Sequence, residues 1–301
     1  MMGHRFTRRA WLAAGAALAA AAAAPARKLK VAIFSKHLQF VQGDALARAA
    51  ADCGFDSVDI TVRKGGHVEP ERVAQDLPPL VKAIRARSLD VPMVTTDISD
   101  IDTPFAEPIL RTISNLGIRY YRWNTIRYSP GRPLAAQIEE MRPRVARLAA
   151  LNARYNVCAM YHTHSGRNMV GASIWDLHML LKDLDPQAVG VNYDVGHATI
   201  EGGLGGWINS FDITGRYPRG IAVKDFIWAK NARGEWAVQW CPIGEGMVHL
   251  EEFFGMVAAT SFDGPLQVHF EYKLPNDPDA VYSAMRRDLG KVRGYLGKAG
   301  L

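Results

Sequence analysis

The chain has 301 residues, with 36 Lys and Arg against 30 Asp and Glu, for a formal charge of +6 with histidines neutral. That excess is small and comes without a Lys/Arg block or interleaved aromatics, so nucleic acid is not implied as a partner. Three cysteines, Cys53, Cys158 and Cys241, form an odd set without paired spacing, which leaves at least one free and argues against a disulfide framework or a zinc ribbon.

The first residues read as an address. Thr7-Arg8-Arg9-Ala10-Trp11-Leu12 sets two arginines ahead of an uncharged run over 11–25, and Ala24-Pro25-Ala26 offers small residues where a signal peptidase cuts. We expect residues 1–26 to be a signal peptide cleaved after Ala26, and the arginine pair points to twin-arginine export into the periplasm. A retained anchor is the competing reading. The run is about 15 residues and mostly alanine, where a spanning helix needs roughly 20 strongly apolar ones, so no stable membrane anchor is expected after cleavage. Loss of Arg5, Arg8 and Arg9 lowers the charge to +3 and leaves 275 residues, 27–301, as one domain. That length is near the roughly 250 of a single (β/α)8 barrel.

Beyond Ala26 short apolar runs alternate with longer amphipathic stretches. Strands are expected at 30–35, 57–62, 91–96, 119–123, 157–161, 190–194, 220–224 and 265–271. Helices are expected at 44–53, 70–88, 104–116, 135–154, 173–183, 206–214, 249–260 and 279–296. The clearest show apolar residues every three or four positions: Ile138, Met141, Val145, Leu148 and Leu151 in one, Val281, Met285, Leu289, Val292 and Leu296 in another. Strands alternating with helices predict a parallel sheet, and eight such units predict closure into an α/β (β/α)8 TIM barrel. An open doubly wound sheet is the fallback, but no G-x-G-x-x-G follows the first strand.

In such a barrel the chemistry sits at the C-terminal strand ends. Polar residues recur there: Lys36 and His37; Arg63 and His67; Thr95, Thr96 and Asp97; Arg122, Trp123 and Asn124; His162 and His164; Asp194 and His197; Lys224 and Asp225; His269 and Glu271. Period-two alternation puts Gln267, His269 and Glu271 on one face of the last strand and turns Asn192 and Asp194 inward on the sixth. Converging carboxylates and imidazoles suit a divalent ion such as Mn, Zn or Co.

Several local patterns carry a family likeness: Gly54-Phe55-Asp56-Ser57-Val58-Asp59, Asp194-Val195-Gly196-His197, Val223-Lys224-Asp225, Pro242-Ile243-Gly244-Glu245-Gly246 and Glu271. In order and spacing the chain resembles the xylose isomerase-like TIM-barrel family of sugar and sugar-phosphate isomerases and epimerases, which also includes type 2 abasic-site endonucleases. The resemblance implies a divalent metal held by Glu, Asp, His and Glu from strands 5 to 8. Asp194 and Glu271 match that pattern, whereas strand 5 offers His162 or His164 and strand 7 has Ala222 in place of the histidine. The metal set expected here is therefore Asp194, His197, Glu271 and His164, or His162 in place of His164, with loss of the metal as the alternative.

Catalytic roles are expected of Glu271, His162, His164 and Lys224, with Glu245 as a second acid. Substrate contacts are expected from Arg63, His67, Arg122, Trp123, Asn124 and Trp228. Each has a plainer explanation. His162 and His164 would make a structural pair, His197 a partner of Asp194, Lys224 and Asp225 a rim salt bridge, and the tryptophans core packing. The reading with most support is a metal-assisted isomerase or epimerase that removes a proton next to the carbonyl of a free or oxidised sugar. A lyase that expels the aglycone of a keto-glycoside through the same enolate is the nearest rival, and a non-catalytic carbohydrate-binding barrel is the other. A small carbohydrate is the expected partner, with a homo-oligomer possible.

Overall fold

The computed structural model describes residues 28–301, so the expected signal peptide lies outside the described residues. Eight parallel strands close into a barrel: β1 (Val31–Phe34), β2 (Ser57–Val62), β3 (Asp90–Thr96), β4 (Tyr120–Arg122), β5 (Cys158–His162), β6 (Val189–Asp194), β7 (Pro218–Val223) and β10 (Leu266–Val268). Around the barrel the order is β1-β10-β7-β6-β5-β4-β3-β2. The helices are α1 (Asp44–Asp52), α2 (Val73–Arg85), α3 (Ala106–Asn115), α4 (Leu134–Arg154), α5 (Trp175–Leu181), α6 (Val195–Gly202), α7 (Gly206–Thr214), α8 (Leu250–Ala258) and α9 (Pro278–Ala299). The chain thus forms a single (β/α)8 TIM barrel, as the alternation implied. No described helix is long and apolar enough to cross a membrane.

Strands enclosed by helices outside and side chains inside must be buried on both faces, and β1, β2, β5 and β6 are buried at every position. The two faces differ in chemistry. On β6, Tyr193 points out and stacks on Phe253 of α8 at 5.8 Å, while Asn192 on the other face bonds to Gln267 across the barrel. Gly220 on β7 is required by this packing. A Cβ there would lie 2.9 Å from Asn192 Oδ1 and 3.0 Å from Met160 Sδ.

Helix ends follow their local signals. Asp277 accepts a hydrogen bond from Ala280 N at the start of α9, Pro278 takes the first helical position, and Gly300 ends the helix at φ 74°. The apolar stripe Val281, Met285, Leu289, Val292 and Leu296 is buried throughout. The expected helix 70–88 is a 3-10 turn, Pro70–Arg72, followed by α2, and the expected strand 265–271 is paired only over Leu266–Val268.

Two elements were not anticipated. Helix α6 begins directly at the end of β6, with Asp194 as its N-cap. An antiparallel hairpin, β8 (Asp225–Lys230) and β9 (Trp236–Cys241), rises from the mouth after β7. All three cysteines are free, Cys53 and Cys158 buried and Cys241 half-buried. Burial pushes their thiols up to about 11 or 12, so they are inert packing groups.

Candidate active site

At the C-terminal mouth of the barrel lies a cavity of about 270 Å³, walled by Lys36, Arg63, Arg122, His164, His197, Lys224, Trp240 and Glu271, with Phe34, His162 and His269 beneath. A larger cavity of about 470 Å³ lies beside Phe211 and Pro218, where β7 begins, away from the strand ends that carry chemistry in this fold.

Asp194 organises the β6–β7 side. As last residue of β6 and N-cap of α6, it accepts the backbone N–H of His197 on Oδ1 at 2.9 Å. Its Oδ2 faces Lys224 Nζ at 3.0 Å and His162 Nε2 at 3.3 Å. Lys224 Nζ also donates to His197 Nε2 at 2.7 Å and lies 4.6 Å from the centre of the Trp240 ring. With Nε2 accepting, His197 carries its proton on Nδ1, which meets Ser165 Oγ at 2.8 Å. His164 is committed at both nitrogens: Nδ1 donates to the His162 carbonyl at 3.0 Å, and Nε2 accepts from Arg122 Nη2 at 3.2 Å.

A polar chain crosses beneath. Asn192 bridges His162 Nδ1 at 3.2 Å and Gln267 Oε1 at 3.3 Å. Gln267 Oε1 in turn meets His269 Nε2 at 3.2 Å, and His269 Nδ1 faces Glu271 Oε1 at 4.0 Å. The rings of His162 and His269 stack at 5.1 Å. Glu271 receives Lys36 Nζ at 3.3 and 3.4 Å from the opposite side.

Burial favours the neutral form of Asp194, but Lys224, then His197, His269 and the His197 N–H, override it and hold the carboxyl at about 2. Burial lowers Lys224, opposed by Asp194 and Glu271. Burial, then the Arg122 charge, takes His164 down to about 3. Burial against the pull of Asp194 takes His197 to about 4. His162 and His269 are pushed well down by burial. Burial raises Glu271, but Lys224, Lys36 and His37 outweigh it and leave the carboxyl below its ordinary value. At neutral pH the mouth therefore presents the ionised carboxylates of Asp194 and Glu271 and neutral imidazoles, set among the basic side chains of Lys36, Arg63, Arg122 and Lys224.

One ligand atom each from His162, Asp194 and His269 lies within 4.8 Å of the others, and a second such group joins His162, His164 and His197. His162 Nε2 and Asp194 Oδ2 are buried without an aligned hydrogen bond, the condition expected of atoms kept for a ligand. Two imidazoles and a carboxylate fit a transition-metal ion, so His162, Asp194 and His269 could hold one, with Lys224 sharing the Asp194 oxygen. The expected metal set is split by this geometry. Asp194 belongs to the first group, His164 and His197 to the second, and Glu271, held by Lys36, to neither.

Other expected residues fall in different places. Lys224, Arg63 and Arg122 line the cavity. His67 is half-buried and tied to Thr61 Oγ1 and the Val41 carbonyl, each at 3.1 Å, so it fastens the loop after β2. Trp123 is core, edge-on to Tyr161 at 5.4 Å. Asn124 donates to Ser99 Oγ, and Trp228 stands 43 % exposed on β8 outside the cavity wall. Glu245 is exposed and does not line the cavity. The loop that carries it wraps around Asp225, whose carboxylate accepts the N–H groups of Gly244, Gly246 and Val248 at 2.9–3.1 Å. A Cβ on Gly246 would sit 2.1 Å from Asp225 Oδ1, so only glycine fits there. Asp225 thus anchors this loop and makes no ion pair with Lys224. Trp240 was not expected at the mouth, because the hairpin that delivers it falls between the expected strand 220–224 and helix 249–260; the alternation across Asp225–Lys230 and the turn at Arg233-Gly234 could have shown it. His269 was placed inward but given no role, and Phe34 was missed as an apolar floor.

No curated protein matches the chain by sequence. Among solved structures, a xylose isomerase domain protein from Alicyclobacillus acidocaldarius superposes with a TM-score of 0.69 at 14% identity, over 90% of this chain and 99% of that one. The 3-keto-D-glucoside 4-epimerase of E. coli gives 0.66 at 16% identity, over 89% and 100%. D-psicose 3-epimerase from Clostridium cellulolyticum H10 gives 0.65 at 14% identity, over 89% and 99%. At such identities the likeness speaks for the fold. A family model described as xylose isomerase-like TIM barrel matches residues 47–287, most of the chain. Fold, strand-end chemistry and sequence profile agree, and the chain belongs to the xylose isomerase-like TIM-barrel family.

Proposed function

We propose that the protein is a sugar isomerase or epimerase that moves a proton at the carbon next to the carbonyl of a free or oxidised sugar. The observation that carries this reading is the placement of the ionised Glu271 and the cations Lys224 and Arg122 around one cavity of about 270 Å³. That is below the roughly 300–1,000 Å³ of drug-sized pockets and suits one sugar ring. The likeness to the solved 3-keto-D-glucoside 4-epimerase and D-psicose 3-epimerase supports it.

Glu271, held ionised and aimed by Lys36, is the general base. Lys224 lies where negative charge develops on the carbonyl oxygen and stabilises it through N–H donation. Neutral His164 and His197 lie on the β5–β6 side and orient the cations, His164 accepting from Arg122 and His197 from Lys224. A divalent ion held by His162, Asp194 and His269 would polarise the carbonyl and acidify the neighbouring C–H. Elimination of an aglycone through the same enolate is the second reading. It is favoured by the single carboxylate on the cavity wall, an asymmetry better matched to one proton removal than to a symmetrical pair of bases.

The test is solvent exchange. In D2O, with a panel of ketoses and 3-keto-glucosides, we expect deuterium to enter the carbon beside the carbonyl, followed by NMR. Released aglycone without a returned epimer would assign the lyase, and no exchange with any member would sink both readings. The metal set is checked separately by elemental analysis of the purified protein. A stoichiometric transition metal is expected in the wild type and its loss in His162→Ala; equal content in the two proteins, or none in the wild type, removes that set.

A further inference from the structure

The charges around the cavity do not balance. Asp194 is matched by Lys224 and Glu271 by Lys36. Arg63 and Arg122 have no such partner. Among the described residues no carboxylate is within ion-pairing reach of either guanidinium, and the one hydrogen bond of the Arg122 side chain goes to His164 Nε2. The guanidinium carbons of both lie 5.8 Å from the centre of one ring, that of Phe34 on the cavity floor. Two like charges over one ring repel each other; burial first, and then the Arg63 charge, draw Arg122 down to about 10 against the opposing pull of Asp59, Asp194 and Glu271. Nearby Asp59 is buried and satisfied by Thr95 Oγ1 at 2.8 and 3.1 Å, and burial pushes it up to about 7, so it is an incomplete counter-ion at neutral pH.

A half-buried pair of guanidiniums without a counter-ion is costly unless an anion arrives from outside. We propose that this anion belongs to the substrate, which is a sugar acid whose carboxylate is clamped between Arg63 and Arg122. The sugar part of this inference rests on the isomerase or epimerase reading, while the acid part rests on the arginines alone. Carboxylate is favoured over phosphate for two reasons. Paired guanidinium forks match a planar two-oxygen acceptor. Phosphate in barrels of this kind is held by the loops after the seventh and eighth strands, whereas these arginines end β2 and β4 on the other side. The clamp also sets the direction of binding. With the acid group at β2–β4, the ring extends across the cavity and brings its carbonyl toward Lys224 and Asp194 at β6–β7.

The experiment is calorimetric binding of D-glucuronate and D-galacturonate, beside D-glucose, D-galactose and glucose 6-phosphate, to the wild type, Arg63→Gln and Arg122→Gln. Each variant is first melted without ligand to show that it is folded. Arg63 makes no side-chain hydrogen bond that the fold needs, so its variant guards against a folding failure at Arg122. We expect at least one uronate to bind about tenfold or more tighter than its neutral counterpart, and the preference to disappear in both variants. Neutral sugars bound as well as uronates, the phosphate bound tightest, no measurable uronate binding, or a preference that survives both substitutions would each overturn the proposal. Binding is read without turnover. Uronate binding with no solvent exchange would therefore remove the isomerase reading and leave the clamp, and exchange on neutral keto-sugars without uronate binding would do the reverse.

Discussion

In protein freed of metal by a chelator, a Lys224→Met variant is expected to lose about 3–5 kcal/mol of unfolding free energy at neutral pH, because it strands a buried carboxylate. Asp194 is fully buried and Lys224 is 3% exposed, so neither recovers hydration when the other is removed. The 3.0 Å contact between them is the main reason Asp194 stays ionised against its burial. The pH dependence identifies the cause. Asp194 titrates at about 2 in the folded chain against an ordinary 3.8, a depressed acid. Its contribution to stability is present above about pH 4 and fades as pH falls toward 2. In the variant, burial without the ammonium raises the same carboxyl, so acid relieves the strain by protonating it. Urea unfolding at pH 7 and pH 3 should show a deficit that shrinks in acid, and Lys224→Met/Asp194→Asn should recover much of it at pH 7. A deficit equal at both pH values would mean that lost packing against Trp240 is responsible and that the ion pair contributes little.

Glu271→Gln should separate chemistry from architecture. Glutamine keeps the shape and an acceptor for Lys36 Nζ but cannot take up a proton. Positioned general bases contribute typically about 100- to 10,000-fold, and a fall in deuterium exchange of that size is expected, with ligand affinity and melting temperature close to wild type. Glu271 lies after β10 and outside the ladder, which ends at Val268, so its side chain supports little of the fold. Exchange that persists at the wild-type rate would remove Glu271 as the base and direct attention to His164 and His197. A large drop in melting temperature would instead make Glu271 a strut for Lys36.

Much of the architecture was legible in the sequence because both of its periodicities are local. The buried runs of β1, β5 and β6 and the three-to-four spacing of α4 and α9 depend on near neighbours, and eight repetitions of the unit leave closure as the natural solution. The ring of polar strand ends was legible for the same reason, since fold class alone determines which end of each strand carries chemistry. Asp194, Lys224 and Glu271 could therefore be named, and the inward face of Gln267 and His269 follows from alternation alone.

What the sequence could not decide was which polar groups answer one another across the barrel. The meeting of Asp194 with His162 and His269, and not with Glu271, depends on relative heights on β5, β6 and β10, which register sets. The bridge from Lys224 to His197 needs α6 to begin directly at Asp194. Glu245 reads as a mouth acid, but its loop is turned by the N–H bonds to Asp225 and leaves it in solvent. Local pattern specified the strands, the helices and the chemical inventory of the mouth, because each follows from contacts within a few residues. Partner choice, including the unpaired state of Arg63 and Arg122, was decided only when closure brought distant strand ends within a few ångströms and burial made each unmatched charge costly.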